Sequence, residues 1–455
     1  METSVRRLII GFITTFLLME IWMGYWVVWK GPALVTNSRN PRIAMAENRL
    51  PRGGIYDTNG KPMVVSVWQN NAYKREFQAP LSVVQTIGYM HSRYGKSGLE
   101  RSYDAVLRSS TASYPNPFIP LHQRSEGADI VTTIDSELQL AAEKAMNGQR
   151  GAVVVIDAQT GAILTAVSVP YFDPAAMDDN LINDDKGQAL FNRALQGRYA
   201  PGSAWKPVVL TAALETRAVS PDDYFVDNGS ITVGNHVVHN YEGEVLGNLS
   251  LKDALVRSSN VAFVQIGMKT SGEAIHNLTR RLGILDEPDL HTPATASHLP
   301  SLAEYRQQEV RAQTGFGQGG LWVTPLHMAV VAATIGNGGY AVTPYLVQQL
   351  GEKNVAPTSE RKRVMPEWVA KYVSTAMRAV VTSGTGRRAA VSGITVAGKT
   401  GTADNPGGKA HAWFIAFAPA DKPRIALAVV LENSGGTGGG KAAPIAAKVI
   451  QAALK

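Results

Sequence analysis

Apolar residues follow one another almost without interruption from position 8 to position 29, and no other stretch of the chain is patterned in this way. A run of about 20 apolar residues is the length that crosses the hydrocarbon layer of a bilayer as a helix, so the pattern predicts one transmembrane segment over 8–29. From 30 to about 150 the pattern loosens into modest apolar content broken by Pro, Tyr and Asn turns, which predicts a small and largely irregular domain. At Gly151 it sharpens again. Gly151–Asp157 reads as a buried strand, 158–161 as a turn and 162–167 as a second strand. Helical spacing is expected over 203–217, 250–269, 300–313 and 325–336; strand patterns return at 394–402, 412–418 and 425–431, and a last helix covers 443–454. Strands at both ends with helices between them predict one antiparallel sheet faced by helices, an α+β domain. The resulting division is a tail over 1–7, a membrane segment over 8–29, a first domain over 30–150 and a larger one over 151–455.

Composition changes this picture in three places. There is no cysteine, which excludes a disulfide framework, a catalytic thiol and a cysteine-based zinc site. Arg6 and Arg7 precede the apolar run, so the positive-inside rule leaves a short cytoplasmic tail and puts the rest of the chain outside. Trp22, Tyr25, Trp26 and Trp29 cluster toward the outer end, where amphipathic rings prefer the interface, and no small-x-small cleavage site follows promptly; the expectation is a retained anchor and not a cleaved signal peptide. Glu20 interrupts the apolar run. It either faces a polytopic membrane partner or is protonated or snorkelling without one, and both readings stand. The 44 Lys and Arg against 37 Asp and Glu give a formal charge of +7, but the basic residues are scattered, which points away from nucleic acid and toward anionic envelope polymers or lipid headgroups.

The candidate chemistry lies in three short segments. They are Ser203-Ala204-Trp205-Lys206, Ser258-Ser259-Asn260 and Lys399-Thr400-Gly401-Thr402. A serine three residues before a lysine shares a helix face with it, so hydroxyl and amine can enter one cleft, and a serine at the start of a helix sits where developing negative charge is favoured. The breaker-rich 199–202 precedes this pair and Pro207 follows it, tolerable only in a first turn. Each motif alone is common: about one or two chance Ser-x-x-Lys matches are expected at this length, and Ser359 to Lys362 and Ser38-Arg39-Asn40 are further examples. Only the trio has the order SxxK, SxN, KTG with helix, loop and strand as the respective contexts.

These residues resemble a class B penicillin-binding protein, the membrane-anchored transpeptidases that cross-link peptidoglycan. The resemblance covers nearly the whole chain. Pro51 through Gly60 is similar to the family's N-terminal Arg-Gly signature, Thr132-Thr133-Ile134-Asp135 with Leu138-Gln139 to the start of its catalytic domain, and Gly315-Phe316-Gly317-Gln318 with Val323-Thr324-Pro325-Leu326 to a further family segment. The middle motif is Ser-Ser-Asn where related enzymes carry Ser-Asp-Asn. The resemblance implies a penicillin-binding/serine β-lactamase-like transpeptidase fold behind a small non-catalytic pedestal, with peptidoglycan stem peptides ending in D-Ala-D-Ala as donor, β-lactams as inhibitors, and a SEDS-family membrane glycosyltransferase as partner. It implies Ser203 as nucleophile, Lys206 as general base, Ser258 as proton relay, Asn260 as the group orienting Lys206 and the substrate amide, and Lys399 as the cation favouring the donor carboxylate. Thr400 and Thr402 would bind that carboxylate, Gly401 would allow close approach, Trp205 would wall the cleft, and the backbone N–H groups of Ser203 and Thr402 would form the oxyanion hole. No cofactor and no metal are implied.

Other features are read as ordinary structure. His236, His239 and Asp227 lie around a polar hairpin and fit surface turns better than a metal site; Trp413 fits core packing; the glycine-rich 435–440 reads as a flexible turn. Three other functions remain open: a hydrolytic relative (DD-carboxypeptidase or β-lactamase), a β-lactam sensor, and a largely structural activator of a membrane glycosyltransferase.

Overall fold

The computed structural model of the protein describes residues 2–30, 51–108, 127–358, 362–405 and 408–455. Helix α1 (Glu2–Tyr25) continues as a π-type turn over Trp26–Lys30, and the side chains of residues 3–30 are exposed. It is the one described helix long and apolar enough to cross a membrane.

The first domain is more regular than its sequence pattern predicts. Strands β1 (Ile55–Tyr56), β2 (Pro62–Gln69), β3 (Ala72–Phe77) and β4 (Ile130–Thr132) form a sheet in the order β4-β1-β2-β3. A buried ion cluster closes its underside: Glu100, fully buried, accepts from Arg52 Nε at 2.8 Å and Arg75 Nη2 at 2.6 Å. Helix α2 (Ser136–Met146) follows, capped by Asp135 accepting from Glu137 and Leu138 N–H. Although it lies before position 150, α2 packs its Leu138, Ala142, Ala145 and Met146 face on the sheet of the second domain, so by packing it is part of that domain.

That sheet starts with β5 (Gly151–Asp157) and β6 (Ile163–Val169). Helix α3 (Lys206–Glu215) leads into two small ribbons, β7 (Tyr224–Asp227) with β8 (Ser230–Val233), β9 (His236–His239) and β10 (Gly247–Ser250), in which β8 pairs with β9 and β7 with β10. The helices α4 (Leu251–Val256), α5 (Asn260–Lys269), α6 (Gly272–Arg281), α7 (Gln308–Gly315) and α8 (Pro325–Gly336) come next. The helix expected over 250–269 is therefore two, broken where Ser258 takes a left-handed φ of +59°. β11 (Val347–Leu350) and β12 (Lys353–Asn354) return to the first domain and extend its sheet as β12-β11-β4. Helix α9 (Glu367–Thr382) was not foreseen, although Val369, Val373, Ala376 and Val380 are buried at helical spacing. The strands β13 (Ala397–Ala403), β14 (His411–Ala418) and β15 (Ile425–Leu431) and helix α10 (Ala442–Ala453) complete the chain.

The second sheet is wholly antiparallel with the order β13-β14-β15-β5-β6. Its strands are buried on both faces, and the two-residue period divides their side chains between two cores: Trp413, Ile415 and Phe417 face one, Phe414, Ala416 and Ala418 the other. Helix α8, apolar all round and buried through Ile335, fills the first core; α2 and α10 cover the second. The domains are joined by more than the strand exchange. Gln85 Nε2 donates to Pro170 and Ala189 carbonyls at 2.9 and 2.7 Å, and Asn192 Nδ2 donates to Thr86 Oγ1 at 2.9 Å, so the first domain grips the segment that leads to the Ser203 turn.

The buried ion cluster generates a stability prediction. Glu100→Ala leaves two arginines without their shared carboxylate, and removing one side of a buried pair typically costs about 3–5 kcal/mol. Thermal melts should show the variant several degrees below the parent; equal melting temperatures would show that the cluster contributes nothing.

Candidate active site

The nucleophile turn is built by local strain and local permission. Gly202 has φ +52°, opening a single 3-10 turn over Gly202–Trp205 that hands over to α3 at Lys206, with Pro207 in the first helical turn, where its missing N–H is harmless. From Pro201 to Leu210 every residue is buried except Ser203. The turn is held from two sides. Gly202 N–H donates to Gly317 O at 2.9 Å and Tyr199 pairs its backbone with Val323, which gives the 315–326 segment its role as a brace. A methyl group on Gly317 would lie 1.9 Å from Gly202 O, so only glycine allows that contact. Tyr199 is fixed in turn by its hydroxyl, which donates to Glu432 Oε1 at 2.6 Å, while Arg193 sits 3.0 Å from the same oxygen.

On the other side lies β13, the edge strand of the sheet. It can reach the turn because Gly401 has no side chain: a Cβ there would stand 2.6 Å from Pro201 O and 2.9 Å from Ala204 Cβ. An edge strand presents unpaired backbone groups, so β13 offers a peptide a place to pair beside Ser203. The glycine-rich 435–440 is not a free turn in its middle. Gly438 is buried against the same strand, where a Cβ would meet Trp413 O at 2.1 Å and Gly401 O at 2.4 Å, and its N–H donates to Thr402 Oγ1 at 3.3 Å.

Two lysines meet at one hydroxyl. Lys399 Nζ donates to Ser258 Oγ at 2.8 Å and to Thr400 O at 3.0 Å; Lys206 Nζ donates to Ser258 O at 2.6 Å, Asn260 Oδ1 at 2.9 Å and Ser259 O at 3.2 Å, and lies 3.4 Å from Ser258 Oγ. Both lysines are fully buried. Burial foremost, then the charge of Lys399, hold the Lys206 amine well below the usual lysine range, against a smaller opposing pull from Asp227. Three acceptors favour an ammonium, but they are neutral dipoles and the desolvation of a fully enclosed charge outweighs them. Burial brings Lys399 down to about 7.

The expected residues divide as follows. Lys206, Ser258, Asn260 and Lys399 are joined by hydrogen bonds, and Ser203 lies on the turn that hands over to Lys206; Ser203, Ser258 and Asn260 are half-buried. Thr402 lies half-buried beside them, while Thr400 is buried and hydrogen-bonded through its hydroxyl to Thr385 Oγ1 at 2.7 Å, a partner the sequence did not signal. Trp205 is corrected: it does not wall the cleft. It is fully buried beneath the turn, lining an internal cavity with Val209, Gly267 and Tyr305, because it lies on the core side of the 3-10 turn. Asp227 is also corrected, being fully buried and not on a surface turn, whereas His236 and His239 are exposed. Trp413 is core, its Nε1 donating to Ala200 O at 3.0 Å. Of the two chance motifs, Ser38-Arg39-Asn40 and Ser359 lie outside the described residues.

Comparison with known proteins agrees with this geometry. The family described as penicillin binding protein transpeptidase domain matches residues 151–451, and that described as penicillin binding protein A dimerisation domain matches 52–115. The peptidoglycan D,D-transpeptidase PbpA of Mycobacterium tuberculosis is 30% identical over 493 residues, covering 100% of this chain and 99% of the relative, and that of Mycolicibacterium smegmatis is 31% identical over 494 residues with the same coverage. The solved structure of penicillin-binding protein A from M. tuberculosis as a ceftriaxone acyl-enzyme superposes with a TM-score of 0.81 at 30% identity, covering 91% of this chain and 100% of that one. With three motifs meeting in one cleft behind an N-terminal domain that matches the same family, the chain belongs to the class B penicillin-binding proteins.

Proposed function

We propose that the protein is a peptidoglycan D,D-transpeptidase that cross-links stem peptides through a Ser203 acyl-enzyme and is acylated at the same residue by β-lactams. The observation that carries this reading is the convergence of Lys206 and Lys399 on Ser258, next to a half-buried Ser203. Lys206 as a neutral amine takes the Ser203 proton while Oγ attacks the carbonyl of the penultimate D-Ala. Ser258 accepts from Lys399 and relays a proton to the departing D-Ala amine. Asn260 fixes Lys206, and Lys399 with Thr402 meets the terminal carboxylate of the donor, Thr400 contributing through its pair with Thr385. The backbone N–H groups of Ser203 and Thr402 form the oxyanion hole; loss of one such donor in a comparable site costs about 3–4 kcal/mol. An amine from a neighbouring stem peptide then displaces Ser203, and the proton returns along the same groups.

The organisation we propose is a cytoplasmic tail over 1–7, an anchor over 8–29, a pedestal over 30–150 whose last helix packs with the catalytic sheet, and a transpeptidase domain over 151–455. The chain sits in the bacterial plasma membrane with its catalytic domain outside, which Arg6, Arg7 and the apolar α1 support. Of the two readings of Glu20 in α1 we propose the contact with a polytopic partner, for which a SEDS-family glycosyltransferase is the fitting class.

Labelled penicillin should attach covalently to Ser203, as intact mass and peptide mapping of the folded protein will show; an adduct elsewhere, or none, sinks the assignment. Acylation by a chromogenic β-lactam should rise with pH as Lys206 loses its proton and fall again as Lys399, with its pKa at about 7, loses its own. Lys206→Arg should lower the second-order rate by about 100- to 10,000-fold. Lys399→Arg keeps its charge, and so should retain more activity and lose the alkaline fall; the reverse ranking would refute this division of roles. Protease added to intact protoplasts should degrade the catalytic domain, and its protection would overturn the topology.

A further inference from the structure

Behind the Ser258-Ser259-Asn260 segment lies a carboxylate that the catalytic scheme does not use. Asp227, the last residue of β7, is fully buried, and four hydrogen bonds converge on it. Gly229 N–H donates to Oδ1 at 2.8 Å, Asn240 Nδ2 donates to Oδ1 and Oδ2 at 2.7 and 2.8 Å, and the Ser259 hydroxyl donates to Oδ2. Asn240 passes the restraint on: its Oδ1 accepts from the N–H groups of Asn260 and Val261 at 2.8 and 3.2 Å. Ser259 does the same, its Oγ accepting from Ala262 N–H as the cap of α5. One carboxylate therefore anchors the residues that follow the break at Ser258, where the left-handed φ of +59° is a conformation a serine does not hold unaided. The groups so held include three that receive Lys206: the carbonyls of Ser258 and Ser259 and the side chain of Asn260.

We infer that Asp227 is a positioning residue for the acylation step, which aims the SxN segment at Lys206 and supplies a negative charge that acts on that amine. The charges acting on Lys206 from the packed elements are few. Lys399 comes from β13 and Asp227 from β7, while α5 faces the amine with Asn260 and the ring of Phe263, 5.2 Å from Nζ. Without Asp227 two ammonium groups would share one pocket with no buried counter-ion among these, a costly arrangement even at modest polarity. The charge acts in one direction. It raises the Lys206 pKa against burial and Lys399, so its removal makes Lys206 shed its proton at lower pH.

This inference rests on Lys206 being the base, and one series of measurements separates the two. The second-order acylation rate with a chromogenic β-lactam is measured against pH for the full-length parent, Asp227→Asn, Asp227→Glu and Ser259→Ala, with melts to report folding. If the parent itself shows no acid limb, or no acylation, it is the proposed function that fails. Given a parent limb, Asp227→Asn should slow acylation by about tenfold to a hundredfold, as expected from misplaced groups, and move the limb to lower pH. Asp227→Glu, which keeps the charge, should return the limb to the parent's position. Ser259→Ala keeps the carboxylate but cuts its link to the segment, so the rate should fall while the limb does not move to lower pH. A limb that stays in place in folded Asp227→Asn overturns the inference, whatever the rate does, since a purely structural residue would lower the rate at all pH values alike. If Asp227→Asn does not fold, Asp227→Glu and Ser259→Ala decide: a displaced limb in the first or an undiminished rate in the second overturns it.

Discussion

Two fully buried lysines directed at one serine are the constraint around which the rest of this structure is arranged. Burying one ammonium costs several kcal/mol, and placing a second beside it adds repulsion that little water is present to screen. The pocket answers by lowering the proton affinity of both amines. A base that can act near neutrality is thus a consequence of enclosure, and would be lost if the cleft opened to solvent. The carbonyls of Ser258 and Ser259 and the Asn260 amide then serve to point the amine, since they hold it without adding a charge.

Enclosure demands close approach, and close approach demands absent side chains at particular places. Gly401 lets the edge strand lie on the Ser203 turn, Gly317 lets the bracing segment touch Gly202, and Gly438 closes the far side of the same strand. Each works because a methyl group would stand within 2.6 Å of a backbone oxygen that cannot yield. Strand β13 remains unpaired along its outer edge and half-open at Thr402, which is what a strand must be if a peptide is to lie along it.

The first domain contributes at a distance. Its sheet takes in β11 and β12 from the catalytic segment, and Gln85 and Thr86 hold the stretch from Ala189 to Asn192 that runs toward the nucleophile turn. Arg193 and Tyr199, farther along that stretch, converge on Glu432 at the end of β15. Hydrogen bonds and one buried ion pair therefore link the pedestal to the loop that carries Ser203. The buried Glu100 cluster, which includes Arg52 from the start of the described pedestal, ties that end of the domain together.

Much of this was legible in the sequence because it depends on local pattern. The apolar run of α1, the two-sided strands β5, β14 and β15, the helix over Pro325–Gly336 and the ordered trio of motifs all express periodicity, length or short spacing, and the helix and strand periods carry that information in neighbouring residues. Tertiary contact alone decided the rest. Ser203 and Trp205 differ by two positions, yet one opens to the cleft and the other is sealed in the core, because the turn between Pro201 and Lys206 is 3-10 and braced from outside. Asp227 looked like a hairpin residue since its partners Asn240 and Ser259 are 13 and 32 residues away, and no local pattern reports such a meeting. The three-residue strand β4 escaped notice for the same reason: its pairing with β11, more than 200 residues distant, stabilises it more than its own residues can.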